Sequence, residues 1–338
     1  MPSTIRDIKE RTGLSLATIS KYLNGGNVLP ENRTLIEEAI KELHYQPNEI
    51  ARGLVTNKTR TVGVVVYDIG SLFNGTLLRY IGQALRKERY GLLICDSNNN
   101  EEIEAENIRF LLRKKVDGII LIPVSSVSLF LRPAKEAGVP VVLLDRPFSD
   151  EAADCVRIDN RKAARLAVEK LIENGHENIA VICSNEGGEY TGYERFKGYR
   201  DAMEAAGLTI DPDYLKMRDH SIETGYESMK ELLSLPNRPS AVFMSNYEVS
   251  LGAVMAVNES DLSCPEEISL IGFDDLILSH IVKPKLYVVV QPMQEMGEKA
   301  VELLLQRIGS RERVENQATE IILSARISDG DSIARYKI

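Results

Sequence analysis

The chain of 338 residues has no tryptophan, four cysteines, four histidines and 6% aromatic residues. The cysteines are widely separated and form no Cys-x-x-Cys pair, so we expect reduced core residues and neither a disulfide framework nor a zinc site. No apolar run approaches the roughly 18 residues that a membrane span needs. The sequence also lacks Gly-x-Gly-x-x-Gly, a Walker-type loop and Gly-x-Ser-x-Gly, so we expect no enzyme activity, no cofactor and no metal.

Charge is distributed unevenly along the chain. The first 60 residues carry nine Lys and Arg against seven Asp and Glu, whereas the rest carry 32 against 43. A basic end on an acidic body can approach phosphate while the body is repelled, which favours an oriented encounter with nucleic acid. The N-terminus lacks the apolar core of a signal peptide, which predicts a cytoplasmic protein. The chain length predicts two or more domains.

The first 46 residues are predicted to form three short helices. Thr4, with an acid three residues later, begins the first helix, and Ser15 caps the second beyond Gly13. The third begins near Pro30 and is predicted to bury Leu35, Ile36, Ala39, Ile40 and Leu43. Two short helices joined by a tight turn, with a third closing the core, are typical of a helix-turn-helix domain.

The second helix has an apolar face and an opposite face suited to a DNA groove. If Ile19 and Leu23 face the core, small and polar side chains such as Ser20 and Lys21 face outward, within reach of base edges or phosphate. The pattern alone leaves open a solvated face of an ordinary three-helix bundle. The candidate DNA-binding residues of this head are Thr4, Ser15, Leu16, Ala17, Thr18, Ser20, Lys21, Tyr22 and Asn24.

The head resembles the DNA-binding domain of the lactose-repressor/galactose-repressor (LacI/GalR) family. The similarity lies in Thr-Ile-Arg-Asp-Ile, Gly-Leu-Ser-Leu-Ala-Thr-Ile-Ser-Lys-Tyr-Leu-Asn-Gly and Ile-Lys-Glu-Leu-His-Tyr-Gln-Pro-Asn-Glu-Ile-Ala-Arg-Gly-Leu. It implies a hinge helix over residues 48–56 that folds on operator DNA, where Leu54 wedges into the minor groove and Ala51 and Arg52 contact its edges. Taken alone, Leu54 would be an ordinary linker residue. Lys21 replaces a frequent Arg, and Tyr22 a smaller aliphatic residue, so the operator sequence is left open.

From Thr61 onward, apolar strand-like runs alternate with amphipathic helical stretches. This alternation predicts parallel sheets covered by helices on both faces, and the number of strands favours two α/β lobes. The strand candidates are 61–67, 92–95, 118–122, 141–144, 179–183, 241–244 and 268–272, and the helical stretches are 77–89, 101–114, 161–174, 195–206 and 222–233.

Polar side chains stand at or just beyond the carboxyl ends of several predicted strands, where open α/β sheets bind ligands. They are Asp68, Asp96, Asp145, Asn246 and Asp274. Carboxylates accept hydrogen bonds from paired hydroxyls, so converging acids with an arginine indicate a polyol or sugar site. Any one of these residues could instead cap the following helix.

The body resembles the ribose-type periplasmic sugar-binding proteins, two lobes closing on a ligand. The stretches that carry this similarity are Val-Val-Leu-Leu-Asp-Arg, Tyr-Glu-Arg-Phe-Lys-Gly-Tyr, Phe-Met-Ser-Asn-Tyr, Ile-Gly-Phe-Asp-Asp and Val-Val-Gln-Pro. In such proteins a second aromatic is common where Asn74 stands, Trp or Phe where His220 stands, and Asp where Tyr247 stands. The candidate effector-binding residues are Asp68, Ser71, Phe73, Asn74, Asp145, Arg146, Arg195, His220, Asn246, Asp274 and Gln291.

The predicted fold is therefore α/β: a helix-turn-helix head over 1–46, a hinge over 47–60, and a bilobed core over 61–338 like a periplasmic binding protein. The N-lobe would hold about 61–159 plus 291–320, and the C-lobe about 160–290 plus 321–338. We expect a homodimer on a palindromic operator, because one head reads few base pairs.

The predicted function is a sequence-specific transcriptional regulator, a repressor of carbohydrate-related genes, whose operator affinity is controlled by a sugar in the interlobe cleft. Two alternatives stay open. A phosphorylated carrier protein could act as co-regulator in place of the sugar, as in the catabolite-control branch that the chain also resembles. The chain could also be a sugar-binding receptor with a fortuitous helical N-terminus.

Overall fold

The computed structural model describes residues 3–23, 25–45, 58–124, 126–184, 190–275, 280–309 and 317–336. The chain divides into two compact units, a head of residues 1–59 and a core of residues 60–338. The predicted hinge helix over 48–56 lies outside the described residues, as do the candidate DNA contacts Asn24, Ala51, Arg52 and Leu54. In the described part of the chain, no helix is long and apolar enough to cross a membrane.

The described part of the head contains the helices α1 (Ile5–Thr12), α2 (Leu16–Leu23) and α3 (Pro30–Glu42). Their buried centre consists of Ile8, Ile19, Ile36 and Ala39. Each helix therefore contributes at least one fully inward-facing apolar residue. The helices are too short to be stable in isolation, so this shared centre is what holds them.

Side chains cap the first two helices of the head as predicted. The Asp7 carboxylate accepts hydrogen bonds from the Thr4 amide and hydroxyl at 2.6 and 2.9 Å, which lowers the pKa of Asp7. The Ser15 hydroxyl accepts a hydrogen bond of 3.1 Å from the Thr18 amide. Gly13 ends α1 in the left-handed region with φ 70°, where a residue without a Cβ is least strained.

The predicted burial of Leu35 in the head is wrong. Its side chain is 45% exposed, whereas Ile36 and Ala39 are buried. Leu35 stands on the edge of the apolar stripe of α3, one residue before Ile36. A core made by three short helices covers only the middle of that stripe, so an edge position stays in contact with water.

The described part of the core contains two sheets of six strands each. In spatial order, the first sheet consists of β11 (Glu320–Leu323), β5 (Cys155–Ile158), β4 (Val141–Leu144), β3 (Gly118–Leu121), β1 (Thr61–Val66) and β2 (Gly91–Asp96). The second consists of β12 (Arg326–Ile327), β10 (Tyr287–Val290), β9 (Ser269–Phe273), β8 (Ala241–Met244), β6 (Ile179–Ser184) and β7 (Leu215–Arg218). All pairs are parallel except β10 with β12.

Helices separate the strands and cover the sheets, as the alternating pattern predicted. They are α4 (Leu72–Lys87), α5 (Glu101–Arg113), α6 (Arg132–Ala137), α7 (Asn160–Glu173), α8 (Tyr190–Ala205), α9 (Ile222–Leu233), α10 (Tyr247–Asn258) and α11 (Met293–Gly309). The seven predicted strands are present with ends that move by at most one residue. The prediction of an α/β core with two parallel-dominated sheets is confirmed.

Two helices begin earlier than predicted. α4 begins at Leu72 instead of 77, because Asn74 and Gly75 interrupt the apolar period in its first turn. α8 begins at Tyr190 instead of 195, and Gly192 interrupts its period in the same way. Hydrophobic periodicity locates the middle of a helix well and its ends poorly.

The chain crosses between the sheets three times in the described residues. It leaves the first sheet after β5, returns to it after β10, and leaves it again between β11 and β12. The first sheet thus includes Glu320–Leu323, which extends three residues past the boundary predicted at 320, because Leu323 pairs with Ile158. Apart from this strand, the lobe boundaries stay predictions.

Glycines allow α9 and α10 to touch backbone to backbone. A Cβ on Gly252 would lie 1.9 Å from the Ile222 carbonyl oxygen, and one on Gly225 would lie 2.2 Å from that of Val249. Neither contact can be relieved by rotating a side chain. The two helices therefore form one rigid pair.

We expect Gly252→Ala to lower the free energy of unfolding by about 2–4 kcal/mol, because the added methyl group must push the two helices apart. Urea unfolding monitored by circular dichroism measures this. The matched control is Gly75→Ala in α4, where a Cβ meets nothing within 4 Å. Equal stability of the two variants would contradict the predicted close contact.

Candidate functional site

A small cavity lies in the cleft where the carboxyl ends of strands from both sheets meet. Tyr67, Phe73, Asp145 and Arg146 line it from the side of the first sheet. The remaining lining residues are Thr191, Arg195, His220, Asn246, Glu248, Asp274 and Gln291. The lining mixes carboxylates, guanidiniums, amides and aromatic rings, the groups that bind hydroxyls and flat ring faces.

Asp145 and Asp274 occupy equivalent places in the two sheets. They follow β4 and β9 directly, and both have φ 72°. Their amides donate hydrogen bonds of 2.8 Å to the carbonyls of Val156 and Val289 on the neighbouring strands. Aspartate tolerates the left-handed region better than most residues. The same local geometry thus delivers one buried carboxylate from each sheet to the cavity.

Two arginines are held close to these carboxylates. Arg195, on α8, donates from Nε to the Asn160 Oδ1 at 2.8 Å and from Nη1 to the Ser245 carbonyl at 2.6 Å. Its guanidinium carbon lies 3.7 Å from the ring centroid of Phe273. Arg146 lies over the ring of Tyr67 at 4.4 Å, with Nε 3.4 Å from the Asp145 Oδ2. Each guanidinium is therefore fixed in position on the wall of the cavity.

Asp274 has an unusual protonation equilibrium. Burial raises its pKa to about 6, although the positive charge of Arg195 and a hydrogen bond from Gln291 act in the opposite direction. The Gln291 Nε2 donates to the Asp274 Oδ1 at 2.7 Å. The negative charges of Glu248 and Asp145 raise the pKa further. At neutral pH the carboxylate is ionised but poorly solvated, so it gains from hydroxyl donors.

The candidate DNA-reading face of the head lies on α2. Leu16, Ala17 and Lys21 are exposed there, while Ile19 faces the core. The Tyr22 side chain is not part of this exposed face. It packs against the head core, and its hydroxyl donates to the Glu37 Oε1 on α3 at 2.9 Å. Short side chains beside one lysine give a convex surface that can enter a groove.

The remaining candidates of the head lie around the start of α2 or outside it. The Ser15 and Thr18 hydroxyls are 2.9 Å apart at the cap of α2, and Ser20 is partly buried. Thr4 caps α1. That the described candidates contact DNA therefore stays a prediction.

Two family models match almost the whole chain. Residues 4–48 match the model for bacterial regulatory proteins of the lacI family, and residues 59–331 match the model for periplasmic binding proteins and the sugar-binding domain of the LacI family. The chain belongs to the LacI family. Its expected resemblance to the LacI/GalR regulators, in both the head and the core, is thereby confirmed.

Individual relatives agree with this assignment. Catabolite control protein A of Priestia megaterium is 34% identical over 322 residues, which cover 95% of this chain and 97% of that protein. A LacI family regulator from Enterococcus faecium, solved with bound ribose, is 30% identical with a TM-score of 0.73, covering 82% of this chain and all of that one. The names of both relatives describe control or regulation of transcription or catabolism.

The lac repressor dimer bound to operator and the anti-inducer ONPF shares the fold along nearly the whole chain. Its TM-score is 0.87 at 22% identity, with 99% of this chain and 100% of that chain covered. The fold class predicted from the sequence, a helix-turn-helix head followed by a core like a periplasmic binding protein, is thereby confirmed.

The cavity of this LacI-family chain contains most of the predicted effector-binding residues. Those that line it are Phe73, Asp145, Arg146, Arg195, His220, Asn246, Asp274 and Gln291. Asn246 also acts as a helix cap, since its Oδ1 accepts a hydrogen bond of 2.8 Å from the Val249 amide at the start of α10. The cap fixes the Asn246 side chain at the cavity edge, so the two roles are compatible.

Three predicted residues, Asp68, Ser71 and Asn74, are not among those that line the cavity. Asp68 accepts a hydrogen bond from the Gly70 amide at 2.7 Å, and the Asn74 Nδ2 donates to the Asp68 carbonyl at 2.7 Å. Ser71 precedes α4, and its hydroxyl donates to the Glu248 Oε1 at 3.1 Å. These hydrogen bonds hold the loop between β1 and α4 in place, and contact of the three side chains with an effector stays a prediction.

Three lining residues were not predicted: Tyr67, Thr191 and Glu248. Tyr67 directly follows β1, so the rule on strand ends could have found it. Glu248 lies in the first turn of α10, and Thr191 in the first turn of α8. Their neighbours Asn246 and Arg195 were predicted, but the rule on strand ends does not extend to the first turn of the helix that follows. In the described residues, no group of three His, Cys, Asp or Glu could hold a metal ion.

We expect Asp274→Asn to raise the free energy of unfolding at about pH 7.5 by 1–3 kcal/mol. The folded pKa of about 6 lies above the usual 3.8, so the folded protein binds the proton more readily. The stabilisation that proton binding by Asp274 gives to the folded protein is complete below about pH 4 and is lost as the pH rises through 6. Asparagine keeps an acceptor for Gln291 without the buried charge.

Urea unfolding of both proteins between about pH 4 and 8 measures this effect. The difference in stability should shrink toward low pH. Asp261→Asn, at an exposed position, is the control for a change of net charge. A difference between wild type and Asp274→Asn that does not change with pH would contradict the raised pKa.

Proposed function

We propose that this LacI-family regulator represses carbohydrate-related genes and that a sugar in the interlobe cavity controls its affinity for operator DNA. The observation that carries the proposal is the buried pair Asp145 and Asp274, one from each sheet, beside Arg195 on the same cavity wall. Adjacent sugar hydroxyls donate to carboxylates and accept from a guanidinium, so this arrangement suits a polyol. Phe73 supplies an aromatic ring for a sugar face. We propose no catalytic role for these residues.

Control of DNA binding follows from the position of the cavity between two sheets. A ligand that contacts groups from both sheets binds more tightly when the lobes are closed, so it shifts the equilibrium between lobe arrangements. In a homodimer, that shift changes the separation of the two hinges over residues 47–60. Hinge helices that fold only as a pair over DNA then form or melt. A coupling of about 1–3 kcal/mol changes operator affinity roughly 5- to 150-fold.

The effector is best sought by its effect on thermal stability. Purified protein is heated with pentoses, hexoses, disaccharides and polyols, and a ligand at 100 times its Kd should add about 2.7 kcal/mol of stability. The shift should be lost in Asp145→Asn and Asp274→Asn and retained in Asp261→Asn. A folded protein that responds to no sugar would remove the sugar from the proposal and favour a phosphorylated carrier protein as co-regulator.

The role of α2 is tested on duplex DNA selected from a random library by the wild-type protein. We expect Lys21→Ala to weaken binding at least about tenfold, with loss of base preference at one position if Lys21 contacts guanine. If it contacts phosphate, the slope of log affinity against log salt should fall by about one. Fluorescence anisotropy at several salt concentrations separates the two cases.

Lys41→Ala, at an exposed position on α3, is the matched control. Equal loss in both variants would argue against reading by α2.

A further inference from the structure

The charges on the cavity wall are unequal. Three carboxylates line it, those of Asp145, Glu248 and Asp274, against the two guanidiniums of Arg146 and Arg195. His220 and Tyr67 are the other titratable side chains of the lining. A ligand that brings a phosphate ester into this space adds two negative charges where acids already outnumber cations. In a poorly solvated cavity such repulsion is strong.

The two arginines already make contacts within the protein that an anion would have to compete with. Arg195 already donates from Nε and Nη1 to protein oxygens, and the Phe273 ring covers one face of its guanidinium. Arg146 directs Nε at the Asp145 carboxylate, and its guanidinium covers the Tyr67 ring. Tight phosphate sites need several donors that converge on one anion, most often a bidentate arginine. Here two nitrogens of Arg195 and one of Arg146 are directed at oxygens of the protein, so the arginines are not arranged around one anion.

Gln291 supplies an independent observation about the ligand. A carboxylate only accepts hydrogen bonds, so the Gln291 amide must turn its Nε2 toward Asp274. Its Oε1 is then buried, in a residue that is 4% exposed, and accepts no hydrogen bond from any residue that the structure describes. A buried acceptor of this kind needs a donor. A hydroxyl of the ligand provides one, so this acceptor favours a ligand rich in hydroxyls, and the discrimination against an ester rests on the charges of the wall.

Glu248 places its charge at the join of the two sides of the cleft. It lies in the first turn of α10, and its Oε1 accepts the hydrogen bond from Ser71, which precedes α4 on the other side. The Ser71 contact holds the carboxylate in the cleft, so its charge cannot rotate out to solvent without losing that bond. Neutralising Glu248 would remove one of the three acids and keep an oxygen to accept from Ser71.

We infer that the cavity binds an uncharged, hydroxyl-rich ligand and rejects the phosphate ester of the same ligand, with Glu248 as a residue that determines this specificity. The inference rests on the proposed function and names the class of its ligand. Acceptors on the wall require donors from the ligand, and the surplus of acids excludes anions.

The test compares each sugar with its own phosphate ester: D-ribose with D-ribose 5-phosphate, and D-glucose with D-glucose 6-phosphate. Titration calorimetry on the full-length protein should show the free sugar of a pair binding at least about tenfold more tightly than its ester. Glu248→Gln should reduce that ratio about tenfold by strengthening ester binding. Glu227→Gln, on the exposed side of α9, should leave the ratio unchanged. If Glu248→Gln does not fold, Glu248→Ala removes the same carboxylate and is compared in the same way.

Each result decides the inference. An ester that binds as tightly as its free sugar overturns it and leaves control by a carbohydrate intact. A preference for the free sugar that persists in Glu248→Gln overturns the role of Glu248. If neither sugar of either pair binds, these sugars fail as effectors, and inorganic phosphate compared with chloride at equal ionic strength decides the charge argument. No stabilisation by phosphate supports it, and a stabilisation that Arg146→Gln abolishes overturns it.

Discussion

Asp274 and Arg195 are both buried in the cleft of the core, where neither charge would be stable without the other groups around it. Arg195 is satisfied by Asn160, by a backbone carbonyl and by the face of Phe273. Asp274 is stabilised by the positive charge of Arg195 and by Gln291, yet its pKa still lies about two units above that of an exposed aspartate. The arrangement is a buried charge network with a surplus of acceptors, and a ligand that brings donors improves it.

The framework that holds this network is rigid on each side of the cleft. Glycine contacts lock α9 to α10, and the starts of these helices carry His220, Asn246 and Glu248 to the cavity. On the other side, the loop between β1 and α4 is closed by its own hydrogen bonds. Rigid walls keep the polar groups in position, while the chain crossings between the two sheets are where the walls can move relative to one another.

The rule that ligands bind beyond the carboxyl ends of strands found Asp145 and Asp274 in the sequence, because a strand followed by a polar residue is a local pattern. The same rule chose Asp68, which stabilises its own loop. Ser71 and Asn74, placed in the site by resemblance, are not among the lining residues either. Glu248 and Thr191 were missed because they lie in the first turns of α10 and α8, which the rule on strand ends does not reach. In the head, the hydrophobic periodicity of α3 placed Leu35 in the core. The sequence of α3 alone does not show how much of its apolar stripe the other two helices cover.

The sequence by itself determined the order of elements, the helix-turn-helix head, the alternating α/β core and the membership of the LacI family. These follow from hydrophobic period, helix caps and motifs, which are properties of residues close together in the chain. Only the tertiary structure decided which polar side chains share one cavity, how many acids face how many arginines, and which oxygen of Gln291 is buried without a donor. These features depend on contacts between residues far apart in the sequence, such as Ser71 with Glu248. Such contacts form because the chain crosses between the two sheets.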